Sequence, residues 1–250
     1  MPFTLSHVVA VLPFRHQVRK YFSISGLIMG SMAPDFEFFL RNTLYGIWGH
    51  TFKGIFFFDL PISILLCLIF HYWVRDKLIL FSPNFIKSRF IDYLGFDWTD
   101  YLKSHLIKVI FSVLVGILTH FVWDNITHEP NYVSPFYLSF LSENLYFKNF
   151  SMPVYLFLQI LSSILGLVGF LLVIFRLPMK NLKSENNQNH TNRFWALVIL
   201  FSSIIFTFRY LIGIPDEKPI GQFIVISIGS SLYALTLVSI FYPKKHESPF

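Results

Sequence analysis

Long apolar runs separated by short polar connectors dominate the pattern of this chain. Five stretches, residues 55–74, 106–126, 154–175, 194–212 and 222–241, approach the ~20 apolar residues that a helix needs to cross a bilayer. The connectors 75–105, 127–153, 176–193 and 213–221 carry most of the polar residues, and 181–192 (NLKSENNQNHTN) has the composition of an irregular loop. Before the first run, residues 4–14 and 24–32 are apolar but too short to span. They predict interfacial or re-entrant helices within an N-terminal region 1–54. Pro34 is expected to end the second of these, with a new helix starting over residues 35–40. The expected fold is all-α: a polytopic membrane helix bundle of about five transmembrane helices, forming one integral-membrane domain over residues 1–250. The short apolar stretch 8–14 does not read as a signal peptide, because no basic residue precedes it and Arg15, Arg19 and Lys20 follow it.

Composition strengthens the membrane reading. Charged residues make up 14% of the chain, against about 25% for a typical soluble domain. The apolar surplus is largely aromatic, with 31 Phe, 12 Tyr and 5 Trp, and the mean hydropathy is +0.56. A net charge of +6 could suggest nucleic acid, but the basic residues flank apolar runs instead of forming a patch. That distribution points to membrane lipid as the partner and excludes nucleic acid. The single Cys67 lies in an apolar run, so neither a disulfide framework nor a thiolate metal site is available. Eleven Lys and Arg fall on the side of connectors 75–105 and 176–193, against seven on the opposite side. This bias makes the former cytoplasmic, for a multi-pass protein of the cytoplasmic membrane.

The candidate chemistry lies at the end of the second run, in THFVWDNITH. His120, Asp124 and His128 are spaced i, i+4, i+8, which on a continuous helix places them on one stripe drifting about 40° per step. An ionised Asp inside an apolar span costs roughly 2.5–3.5 kcal/mol, so Asp124 should face an interior with a partner. Imidazole nitrogens beside a carboxylate suit zinc or a similar divalent ion; a buried structural ion pair is the alternative. Asp35 follows Pro34, where helix capping is the simpler role, and His50 precedes the first span. Alternating the spans puts His50, Asp124 and His128 on one side of the membrane, and His7 and Asp35 can join them there. By the charge bias that side is extracytoplasmic.

The opening MPFTLSH, then GSMAPD at 30–35, Gly49-His50, and His120 with Asp124 together resemble a family of uncharacterised bacterial membrane proteins. That family is similar to bacterial membrane-bound metal-dependent hydrolases, and the ligand order resembles zinc-dependent phospholipase C. The resemblance implies that Asp35, His50 and His120 hold one zinc and that Asp124 bridges to a second ion held in part by His7. For a third ion only His128 and Glu129 are available downstream, so one or two ions are expected. Asp35 and Asp124 would then be the catalytic carboxylates. Such a site would provide Lewis-acid chemistry for a phosphoester or related bond of a lipid head group.

Other polar residues have narrower expectations. Asp59 is a candidate to orient a ligand His, or a helix-end cap. Arg209 is a candidate for binding an anionic head group, or a snorkelling cation. Gln159, Ser162 and Ser163 are expected to bond between helices. Transport through an Asp/His relay and a non-catalytic scaffold remain alternatives. A relay would need polar residues through the bilayer depth, and the third and fifth spans offer little beyond Ser, Gly and Gln.

Overall fold

The computed structural model describes residues 4–12, 20–129, 138–148, 150–182, 188–215 and 218–243. Arg15, Arg19, Lys183, Lys244 and Lys245, used in the charge bias, lie outside them, as does the Met1–Phe3 opening. The helices are α1 (Thr4–Val11), α2 (Ile24–Arg41), α3 (Phe52–Leu80), α4 (Asn84–Phe90), α5 (Trp98–Ser104), α6 (Leu106–Thr127), α7 (Val154–Phe175), α8 (Gln188–Ile212) and α9 (Pro219–Phe241). Five of them, α3, α6, α7, α8 and α9, are long and apolar enough to cross a membrane. The fold is thus an all-α polytopic bundle, as the apolar runs predict.

Two local expectations are corrected, and one connector holds an element for which no expectation was stated. Pro34 does not end the second apolar segment: α2 runs through it for 18 residues, so Asp35 is interior to a helix and not its cap. A proline removes one intrahelical bond, and here packing of α2 on α6 outweighs that loss. Connector 127–153 contains an antiparallel hairpin, β1 (Asn144–Phe147) paired with β2 (Phe150–Pro153). Connector 181–192 is partly helical, since α8 begins at Gln188.

The chain divides into two compact units. The first comprises Met1–Phe36, Ile47–Cys67 and Leu102–Arg176. Its central contact is the close crossing of α2 and α6. A Cβ on Gly30 would lie 2.3 Å from the Val113 carbonyl oxygen, and one on Gly116 2.4 Å from that of Leu27. Backbones that approach so closely require glycine at the contact. Gly26-x-x-x-Gly30 is the small-residue spacing that membrane helices use for such crossings. Helix α1 packs on α7, where Ser6 seats against Gly166.

The second unit comprises Glu37–Gly46, Leu68–Tyr101 and Leu177–Phe250. Phe194, Val198, Ala234, Val238 and Tyr242 make its core between antiparallel α8 and α9. The end of α2 is held by polar side chains: Tyr233 donates to Leu40 O at 2.7 Å and Gln222 accepts from Leu44 N at 3.0 Å. The buried Arg75 is satisfied by Asp76, His71 Nδ1 and Phe96 O at 2.7–3.0 Å.

Candidate metal centre

The site is assembled in the first unit from α1, α2, the loop before α3, and α6. His120 and Asp124 sit one turn apart on α6 and are buried. The close crossing at Gly30 and Gly116 brings α2 alongside, so that Asp35 faces them. His50 arrives on the 47–51 loop, which is fixed at two points. Gly49 passes so near α2 that a Cβ would be 2.4 Å from Pro34 O, and Thr51 caps α3 by accepting from Gly54 N at 2.9 Å. The glycine of the Gly49-His50 pair is therefore a packing requirement of the site.

Four ligand atoms, one each from Asp35, His50, His120 and Asp124, lie within 4.8 Å of one another. His120 Nε2 is 3.1 Å from Asp124 Oδ2, 3.4 Å from His50 Nε2 and 3.8 Å from Asp35 Oδ1. His50 Nε2 is 3.4 Å from Asp124 Oδ2 and 3.7 Å from Asp35 Oδ1. A tetrahedral ion with bonds of 2.0–2.2 Å has ligand–ligand edges of about 3.4 Å, and the observed separations bracket that value. The protonation pattern agrees. His120 Nδ1 lies 2.8 Å from Ser31 O, a partner that can only accept, so the proton sits on Nδ1 and the Nε2 lone pair faces inward. Two imidazole lone pairs 3.4 Å apart repel unless a cation or proton lies between them.

Asp124 joins this group to a second one. Its Oδ1 is 3.4 Å from His7 Nε2 and 3.5 Å from His128 Nδ1. His7 stacks on His120 with ring centroids 4.0 Å apart. Both ring nitrogens of His7, Asp35 Oδ1 and both carboxylate oxygens of Asp124 are buried with no hydrogen-bond partner among the described residues. Buried polar atoms are normally satisfied; a set of unsatisfied ligand-type atoms around one point fits a metal ion. The donor set, imidazole plus carboxylate without sulfur, suits zinc and comparable divalent ions.

Electrostatics outside the spans follow burial. Burial holds His7 well below the ordinary imidazole range, and burial pushes His128 down to about 4. Both are therefore neutral at pH 7, the form that ligates. Burial raises Asp35 above its usual value, although the Thr4 hydrogen bond opposes the shift. A bound cation would reverse the Asp35 shift.

His7, Asp35, His50, His120, Asp124 and His128 are all brought together, but His128 differs from the helical expectation. Helix α6 ends at Thr127, and His128 is extended at φ −119°, ψ 164°, reaching back to Asp124 from beyond the helix end. Asp59 is fully buried at a π-helical turn, Ile55–Asp59, that packs on α6. Arg209 belongs to the second unit, where its guanidinium donates to Asn42 O at 3.1 Å and to Gly213 O. Ser162 and Ser163 bond back to Gln159 O in their own helix, as hydroxyls within helices often do. The Gln159 amide leaves its own helix for the residue just past α6, with Nε2 at 3.4 Å from His128 Nε2. Two supporting groups had little sequence signal: Ser31, through its carbonyl, and Thr4, whose hydroxyl donates to Asp35 Oδ2 at 2.7 Å.

Together these features define a polytopic helical membrane protein with a buried His/Asp cluster able to hold a metal ion. The chain belongs to the family described as Domain of unknown function (DUF4184), which matches residues 1–240. No curated protein and no solved structure matches it.

Proposed function

We propose that this protein is a membrane-embedded, zinc-type hydrolase acting on a phosphoester or related bond of a lipid or its head group, at the extracytoplasmic face of the bacterial cytoplasmic membrane. The observation carrying this reading is the buried convergence of Asp35, His50, His120 and Asp124 within 4.8 Å, with Asp35 Oδ1 and both Asp124 carboxylate oxygens lacking a hydrogen-bond partner among the described residues. Those four side chains would hold one ion; Asp124 Oδ1, His7 and His128 would hold a second. Bound there, the metal supplies Lewis-acid stabilisation of charge developing on a phosphoester oxygen. The protein's own part is positional. Ser31 orients His120, Thr4 orients Asp35, and the α2–α6 crossing keeps water from the inner face. His50 and His128 are each 11% exposed, against 0–1% for the other four, so a substrate would approach along those two edges. Arg209 keeps N–H groups beyond those used on Asn42 and Gly213 and is a candidate cation for an anionic head group.

The near-complete burial also favours a second reading, in which the metal only ties α1, α2 and the 47–51 loop to α6. The two differ in whether a coordination position stays open. Metal content of the purified full-length protein, measured beside an Asp35→Ala/His120→Ala double variant, tests the shared premise. At least one divalent ion per wild-type chain and none in the double variant is expected; negligible metal in both overturns it. Hydrolysis of a fluorogenic phosphodiester that is lost on chelation and restored by zinc separates enzyme from scaffold.

A further inference from the structure

A groove of about 500 Å³ lies in the second unit between α8 and α9, built from residues the metal cluster does not use. Its polarity is graded. His190 and Arg193 stand at one end beside Phe241 and Tyr242, and Leu197, Phe201 and Leu237 line the remainder. The polar end is at the start of α8 and the finish of α9, where Tyr242 OH donates to His190 O at 3.0 Å and fastens the two helix ends together. Arg193 is exposed there. From Arg193 to Phe201 the groove follows α8 for roughly 12 Å at 1.5 Å per residue, close to half of a hydrocarbon core about 30 Å thick. Only 6% of the most apolar stretch of α8 is buried, and Phe241 is 77% exposed, so the groove opens on the outer face of a helix long and apolar enough to cross a membrane.

We propose that this groove binds one anionic phospholipid, its phosphate at Arg193 and His190 and one acyl chain along Leu197, Phe201 and Leu237. Charge complementarity selects the head group. The guanidinium offers a planar fork that matches phosphate oxygens. An apolar floor as deep as one leaflet selects a chain over a soluble phosphate ester. A peptide helix would leave Arg193 facing apolar side chains, whereas a lipid places its charge at the same depth as the cation.

The test uses the full-length protein, delipidated in a neutral detergent, with bound lipid counted by native mass spectrometry. Dioleoyl-phosphatidylglycerol and dioleoyl-phosphatidylcholine are titrated separately, and glycerol phosphate is added as a competitor. Phosphatidylglycerol should be retained about fivefold more strongly, the weight of one basic side chain near an anionic lipid. Arg193→Gln should bring the two lipids to parity, and Leu197→Trp, which fills the groove, should abolish retention of both. Arg176→Gln, an exposed basic residue outside the groove, should change nothing, and glycerol phosphate should not compete. Equal retention of both lipids by the wild type overturns the proposal. So does a loss in Arg176→Gln as large as in Arg193→Gln, or effective competition by glycerol phosphate. Should Leu197→Trp not fold, the surface change Arg193→Gln still decides.

Discussion

Replacing Gly30 by alanine isolates the link between helix packing and the metal centre. The new Cβ would sit 2.3 Å from Val113 O, whereas ordinary contact begins near 3.4 Å, so α2 and α6 must separate by about 1 Å. Alanine gains about 1 kcal/mol of helix propensity over glycine, but forcing a packed contact apart costs typically 1–3 kcal/mol. The clash meets backbone, which cannot rotate away, so the cost should win and leave the protein roughly 1–2 kcal/mol less stable. Gly26, one turn away, offers an internal comparison: its Cβ would meet Val109 O at 3.0 Å and Ser112 Cβ at 3.1 Å. There the neighbours need to give only a few tenths of an ångström, and the propensity gain should nearly cancel the strain. The same displacement moves Asp35 and Ser31 away from His120, and metal bonds tolerate only about 0.2 Å. Gly30→Ala should therefore lose bound metal while keeping its helical circular dichroism, and melt several degrees lower in detergent. Gly26→Ala should keep its metal and melt within about 2 °C of wild type. Metal analysis and thermal melts of the three proteins check this. A Gly30→Ala protein that melts and loads like wild type, or a Gly26→Ala protein that suffers more, refutes the argument that this crossing sets the site.

Thr4→Val removes the 2.7 Å donor to Asp35 Oδ2 and should weaken metal affinity about 10-fold or more, read by competition with a chromogenic chelator. Burial depresses His128 to about 4. Between pH 6.5 and that value the unfolded state binds a proton that the folded state refuses, so metal-free stability falls as pH drops through this window. Asp35, whose value is raised, contributes with the opposite sign as pH rises through its folded value. The wild-type minus His128→Gln difference in melting temperature against pH, in chelator, therefore isolates the His128 contribution and should fall as pH drops from 6.5 towards 4, staying flat above 6.5. Arg209→Ala should lower the melting temperature, chiefly because the part-buried Asn42 O loses a charged donor worth about 1.5 kcal/mol; the exposed bond to Gly213 O adds little, since water replaces it. Metal content should stay unchanged. An Arg209→Ala protein of normal stability with lost turnover would instead place this residue on the substrate.

What the sequence determined by itself is what depends on local composition. Apolar length and flanking charge are properties of each segment, so the five spanning helices were readable to within about six residues at every end. The cost of Asp124 in an apolar run marked it, with His120, as needing partners, whatever those partners were. Span alternation and the motif resemblance brought His7, Asp35 and His50 to one side with Asp124 as expectations; the stacking of His7 on His120, the separations within the cluster and the return of His128 to Asp124 were decided only by tertiary structure. They depend on backbones that touch at Gly30, Gly49, Gly116 and Gly166, contacts that link residues distant in the chain. Pro34 shows the same limit from the other direction. By local rules it ends a helix; packed on α6, the helix continues and aims Asp35 into the cluster. His128 could not be placed by periodicity, because its helix stops one residue earlier and the side chain returns from an extended backbone. Local propensity set the spans, and interhelical packing set the chemistry.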